Sequence, residues 1–253
     1  MGELDRQKST FVVTGGASGI GLACAKWFAS KGYHVAILDL KVMEERVPNS
    51  TYLRCDVSSY ENVQSCINTL VSDGHRIEAT LANAGIHFYG SVEETSVEDL
   101  SRIIDVNIKG VFYTLKAVLP HMKASQKGSI VIMGSDQSLV GKFYSAAYGL
   151  TKGAIAQLAK STAIDYGTYD VRVNCVCPGP VKTSLYDEAV QSFSQSYSDL
   201  DPDTLHELIK DRLAIKKIAD PMDVAKLVYF LCSDEASMIT GSTYSIDGGY
   251  CAQ

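Results

Sequence analysis

No stretch of this 253-residue chain is apolar for long enough to span a bilayer. The amino terminus, MGELDRQKST, is charged and runs straight into FVVT, so it holds neither an apolar signal core nor an Arg-rich presequence. A soluble, cytoplasmic protein is expected. Basic surface is also lacking: 23 Lys and Arg stand against 29 Asp and Glu, a net charge of -6, with no basic run, so neither nucleic acid nor a membrane is expected as partner. The seven cysteines are odd in number and include no C-x-x-C, which favours buried free thiols over a disulfide framework. Five histidines form no H-E-x-x-H or similar ligand spacing, so no metal site is expected. Linkers, low-complexity tracts and internal repeats are absent. With 46% hydrophobic and 21% charged residues, the expectation is a single α/β domain over 1–253.

What is present begins with Thr10 to Thr14, a β-branched run followed by GGASGIG and by LACAKWFASKG, whose apolar residues recur at helical spacing up to Gly32. Tyr33 to Asp39 is strand-like again. A strand, Gly-rich turn, helix and strand make a right-handed crossover on a parallel sheet. Gly15, Gly19 and Gly21 let the backbone approach a pyrophosphate, whose charge the following helix N-terminus meets. Asp39, at the end of the second strand, suits the adenosine ribose hydroxyls and repels a 2′-phosphate, which favours NAD over NADP; Lys41 could blunt that repulsion. The alternation continues with strand-like 51–57, a helix from Tyr60 to Val71 and a strand at 77–85. Asp56 fits a contact to the adenine amino group, and Asn83, Ala84 and Gly85 let the cofactor lie over the strand ends. Val97 to Lys123 reads as one long helix containing Asn107, which faces either solvent or the active site. Further on come a sixth strand at 171–177, a break at PGPVKT, an irregular segment Ser184 to Lys217 expected to form a lid of one or two short helices, a helix from Pro221 to Cys232 and a last short strand.

The stretch Ser129 to Lys152, SIVIMGSDQSLVGKFYSAAYGLTK, carries the chemistry. A strand over Ile130 to Met133 ends at Gly134 and Ser135, and a helix from Ala146 puts Tyr148 and Lys152 on one face at i and i+4. These three suit proton transfer to or from an alcohol oxygen, because an ammonium beside a tyrosine favours the phenolate and Ser135 can donate to the substrate oxygen. With 14 tyrosines in the chain, roughly one Tyr-x-x-x-Lys arises by chance, so the pair gains meaning only from its place in the chain.

TGGASGIG at 14–21, Asp39, Asp56, NAG at 83–85, Asn107, Ser135, Tyr148 with Lys152, PGPVKT at 178–183 and the terminal IDGG occur in one order and spacing. In this the sequence resembles the short-chain dehydrogenase/reductase family from about Ser9 to Tyr250. The resemblance implies a Rossmann-like fold with a seven-stranded parallel sheet flanked by helices on both faces. It implies Tyr148 as general acid/base, Ser135 holding the substrate oxygen, Lys152 lowering the tyrosine pKa and bonding the nicotinamide ribose, and Asn107 positioning a proton-relay water. It extends the cofactor-binding set to Ser18, Ile20, Val57, Pro178 and Gly179, with Val181 and Thr183 at the nicotinamide carboxamide. Assembly as a homodimer or homotetramer through 97–123 and 146–167 is also implied. One departure is Asp136, directly after the serine, where the family more often has a small or hydroxyl residue; pointing into the site its charge would raise the tyrosine pKa and disfavour anionic substrates, whereas pointing to solvent, the favoured orientation, it would matter little.

Substrate contacts are expected from His87, Gln137, Phe143, Tyr144 and Tyr186. A lid rich in Asp and Glu offers no clamp for an anion, so a neutral secondary alcohol or ketone of moderate size is expected, in the direction of alcohol oxidation with NAD. The alternatives are an NADPH-dependent 3-oxoacyl-thioester ketoreductase and a non-catalytic nucleotide-binding scaffold.

Overall fold

In the computed structural model, which describes residues 9–253, seven parallel strands form one sheet in the order β3-β2-β1-β4-β5-β6-β7. The charged amino-terminal stretch on which the expectation of no leader peptide rests lies outside the described residues. The strands are β1 (Ser9–Thr14), β2 (His34–Asp39), β3 (Ser50–Arg54), β4 (Arg76–Ala82), β5 (Gly128–Met133), β6 (Val171–Pro178) and β7 (Thr243–Ile246). Chain order reverses between β1 and β4, which opens a crevice at the carboxyl ends of those strands.

The buried strands are apolar on both faces because helices cover both. Val12, Ile130, Ile132 and Val173 face α2 (Tyr60–Ser72), α4 (Gly110–Ser125) and α5 (Ala146–Tyr166), packing with Ile67, Val118 and Ile155. Their neighbours Phe11, Val13, Leu81 and Val131 point the other way, toward α1 (Gly19–Ser30) and α8 (Pro221–Cys232), with Phe28, Val224 and Val228. Phe11 and Phe28 stack at 3.6 Å. Each such fully buried side chain contributes about 1.5–3 kcal/mol over leaving it in water. Polar residues mark the helix starts: Ser59 accepts from Asn62 N, and Asp220, followed by Pro221, forms a capping box with Asp223.

The long helix expected over Val97 to Lys123 is divided. α3 (Val97–Ile104) passes into a π-helical turn, Asp105–Lys109, before α4 begins. The segment 184–217 holds two helices, α6 (Ser184–Tyr197) and α7 (Pro202–Asp211), above the carboxyl ends of the strands. All seven cysteines are free; six are buried as expected, whereas Cys251 is partly exposed because it lies in the last turn of the chain. Among the described residues no helix is long and apolar enough to cross a membrane, and no group of three or more His, Cys, Asp or Glu could hold a metal ion.

Candidate active site

The Gly-rich turn fits a nucleotide because side chains are excluded from it. Gly15 and Gly19 adopt φ of +65° and +53°, and a Cβ at Gly21 would lie 2.1 Å from the Gly15 carbonyl oxygen. Asn83 ties the turn to β4: its Nδ2 donates to the carbonyls of Thr14 (3.1 Å) and Gly15 (3.0 Å), while Thr14 Oγ1 accepts from the backbone N–H of Asn83 and Ala84. Asp39 ends β2 with its carboxylate fixed by the N–H groups of Ala17 and Lys41, each at 2.9 Å. Asp56 folds back on Ser58, accepting from its N–H (2.9 Å) and its hydroxyl (2.6 Å), beside the buried Val57. On α1, the N-cap Ser18 makes no side-chain cap hydrogen bond to the first turn. Thr183 caps α6 across the groove, and its Cγ2 would sit 3.2 Å from a Cβ at Gly19.

From this groove a cavity of about 850 Å³ runs under α6 and α7. Ile20, Asn83, Gly85, Pro178, Gly179, Val181 and Thr183 line its cofactor side; Ser135, Tyr148 and Lys152 line its centre; His87, Gln137, Phe143 and Tyr186 line the far side. Of the residues expected at the cofactor, Gly15, Ser18, Gly19, Gly21, Asp39, Asp56, Val57 and Ala84 are not in the lining of this cavity. Tyr144 and Asn107 are not in the lining. Tyr144 instead stacks on Tyr197 of α6 at 4.2 Å, and its left-handed backbone (φ 53°) presents a carbonyl to Gly90 N–H at 2.7 Å. The aromatic set Tyr89, Phe193, Tyr144 and Tyr197 thus holds α6 against the loops below. Tyr186 is fixed to α7 through a 3.1 Å hydrogen bond with His206 Nδ1.

Asn107 explains the π turn. Its Oδ1 accepts from Ile86 N–H (2.8 Å), and its Nδ2 donates to Ile86 O (2.9 Å) and Thr151 Oγ1 (3.2 Å). The wider turn lets this side chain reach inward and join the segment after β4 to α5. Of the two orientations open from sequence, it takes the inward one and is buried.

Lys152 Nζ donates to Met133 O at 2.8 Å and stands 5.5 Å from the Tyr148 ring centre. Burial pushes the Lys152 ammonium down to about 8. Tyr148 is buried as well, and desolvation raises its pKa above the ordinary tyrosine value; the hydrogen bond from Ser135 works in the opposite direction, and Asp136 adds to the rise. The sequence led to a lowered tyrosine pKa. Among protein groups alone, desolvation outweighs the favourable contacts. His87, packed against Tyr148 at 4.5 Å, is held down to about 4 by burial and by Lys142 and Lys152, so its ring is neutral at ordinary pH.

Asp136 does not point to solvent. It is 2% exposed, accepts a hydrogen bond from Ser135 Oγ (3.0 Å) and pairs with Lys142 Nζ at 2.5 Å. A cation six residues along the same loop makes the burial tolerable. Lys142, Tyr89, Phe193 and the carboxyl-terminal Tyr250 also line the cavity. Tyr89 lies two residues from His87 and Lys142 directly before Phe143, both expected contacts; nothing in the sequence around Tyr250 signals its return to the site.

The chain matches the family described as enoyl-(acyl carrier protein) reductase over residues 15–251. It is 34% identical over 249 residues to oxidoreductase UcpA of Salmonella typhimurium, covering 95% of this chain and 93% of that one. It is 35% identical to meso-2,3-butanediol dehydrogenase of Serratia marcescens (95% and 94% covered) and 33% identical to cyclopentanol dehydrogenase of Comamonas sp. (95% and 96%). A short-chain dehydrogenase family protein from Francisella tularensis superposes with a TM-score of 0.88 at 32% identity, over 96% of this chain and 99% of that one. The 3-ketoacyl-(acyl-carrier-protein) reductase of Brucella melitensis, complexed with NADH, gives 0.85 at 27% identity (96% and 98%); ElxO with NADP bound gives 0.87 at 32% (97% and 100%).

Proposed function

The chain belongs to the short-chain dehydrogenase/reductase family, and on that premise we propose that it oxidises a neutral secondary alcohol to a ketone with NAD, using Tyr148, Ser135 and Lys152. It is an oxidoreductase of alcohols and ketones that uses a nicotinamide cofactor. The observation that carries the finer proposal is the meeting of Ser135, Tyr148 and Lys152 in one cavity beside a Gly-rich groove that side chains cannot enter.

When bound, the nicotinamide ring supplies the hydride acceptor. Gly15, Ser18, Gly19, Ile20 and Gly21 would hold the pyrophosphate, Asp39 the ribose, Asp56 and Val57 the adenine, and Asn83 to Gly85 the path over the strand ends. Pro178, Gly179, Val181 and Thr183 would hold the nicotinamide end. The alcohol oxygen lies between Ser135 Oγ and the Tyr148 hydroxyl oxygen. Tyr148 takes its proton as the carbon loses hydride, and Ser135 donates to the oxygen throughout. Lys152 would stabilise the phenolate and bond the nicotinamide ribose, and Asn107, whose side chain ties the segment after β4 to α5, would position the relay water from behind the lining. The helices at 184–217 act as the lid that excludes water. Asp39 supports NAD: its carboxylate is fixed by two backbone N–H groups at the end of β2, where its charge would repel a 2′-phosphate.

The test is NADH formation from a panel of secondary alcohols, with NAD and NADP in parallel. Turnover should favour NAD by at least about tenfold in kcat/KM, about 1.4 kcal/mol, and Tyr148→Phe should lose roughly 10²–10⁴-fold. NADPH preference with acyl thioesters would move the assignment to the ketoreductase alternative. Turnover unaffected by Tyr148→Phe would refute the catalytic assignment.

A further inference from the structure

Among the described residues Asp136 is the one acidic side chain that lines the cavity, and it touches the group that must hold the substrate oxygen. The Ser135 hydroxyl accepts from Gln137 N–H at 3.2 Å, so its own proton is shared among Asp136 Oδ1, the Tyr148 hydroxyl oxygen and the substrate oxygen. A substrate alcohol that gives its proton to Tyr148 leaves its oxygen needing a donor. Ser135 can fill that need only by releasing Asp136. How readily it does so depends on how strongly the carboxylate holds it, and Lys142 Nζ engages the other carboxylate oxygen at 2.5 Å. Lys142 is seated for this: its ammonium also lies 4.6 Å from the Tyr250 ring centre, and Cys251 Sγ donates to Asp136 O at 3.8 Å.

We infer that Asp136 and Lys142 act together as a positioning pair that sets how freely Ser135 donates to the substrate oxygen, and through Ser135 the pH at which Tyr148 works. This rests on the proposed function. Asp136 alone would hold the serine proton and place a negative charge by Tyr148; Lys142 weakens both effects by drawing on the same carboxylate. The other groups facing Tyr148 are Lys152 from its own helix, His87 and Tyr89 from the segment after β4, and Cys177 from β6. None of these touches the Ser135 hydroxyl. The pair therefore acts by a route that they do not share.

A double-variant cycle tests it. In alcohol oxidation, the acid limb of log kcat/KM against pH should move down by about one pH unit in Asp136→Asn and up by about one unit in Lys142→Met, while Lys142→Arg leaves it in place. In the double variant the limb should coincide with that of Asp136→Asn, because Lys142 has no carboxylate left to act through. Cofactor binding and circular dichroism confirm that each variant folds. A second readout needs no substrate: in tyrosine 13Cζ NMR, with Tyr148→Phe identifying the signal, the onset of titration should follow the same order. A limb unmoved in Asp136→Asn, or single shifts that simply add in the double variant, overturns the pairing while leaving the proposed function standing. A wild type without Tyr148-dependent turnover overturns the proposed function, and the NMR order alone then decides for or against the pair.

Discussion

Lys152 illustrates what this site costs the fold. An exposed lysine keeps its proton to about pH 10.4, whereas the buried Lys152 releases it near 8. The folded state disfavours the charged form, so below pH 8 the whole penalty is present, and between about 8 and 10.5 stability rises with pH as the unfolded chain binds the proton that the folded chain has lost. The gap corresponds to about 3 kcal/mol, offset in part by the hydrogen bond to Met133 O. Lys152→Met should abolish turnover and yet raise stability at pH 7 by about 1–3 kcal/mol, and that gain should shrink at pH 10. Urea denaturation at the two pH values measures it; a variant that is less stable at pH 7, or a gain independent of pH, would contradict the assignment. A buried lysine retained against such a cost is consistent with its catalytic role.

At the scale of elements, the strand, turn and helix at the amino-terminal edge of the crevice were legible because their causes are local. Glycine spacing announces the backbone approach, and β-branched runs announce the strands. Gly21→Ala tests the turn: with its Cβ 2.1 Å from Gly15 O, backbone must move, and a loss of about 1–3 kcal/mol or more is expected. NADH binding by fluorescence should fail in the same variant; binding retained with unchanged stability would show that the turn has room to spare. The helices around Asn107 were legible only in outline. The π turn exists because Asn107 reaches Ile86, and that partner is 21 residues away in sequence. Asp136 takes the less favoured of its two expected orientations for the same kind of reason. Its neighbour Ser135 was readable, but its carboxylate is held by Lys142 and its backbone carbonyl by Cys251, 115 residues distant. The catalytic trio was legible as an ordered motif; the place of Tyr250 in the lining was not, because tertiary folding alone brings it there.

For the whole molecule, the outer faces of the helices around the active site expose apolar side chains, which favours the proposed homo-oligomer. Along α5 the exposed positions include Leu150, 54% exposed, and Ile164, 80% exposed, on a face that also holds the small residues Gly153, Ala154 and Ser161. α3 and α4 add Val97 and Phe112. Charged residues would normally occupy such positions, and small side chains between apolar ones let a second helix approach closely. A two-fold arrangement of identical faces, α4 and α5 of one protomer on those of another, buries them without leaving a complementary patch uncovered. The 27.4 kDa chain should therefore run at two or four times its mass in light scattering. Ile164→Arg combined with Leu150→Arg should shift it toward the monomer and lower its melting temperature by several degrees, since the active-site helix α5 loses its outer support. Because Tyr148 and Lys152 project from the inner side of that same helix, turnover should fall along with the mass. A wild type that stays monomeric at high concentration, or an Arg variant that remains a dimer, would place the contact elsewhere.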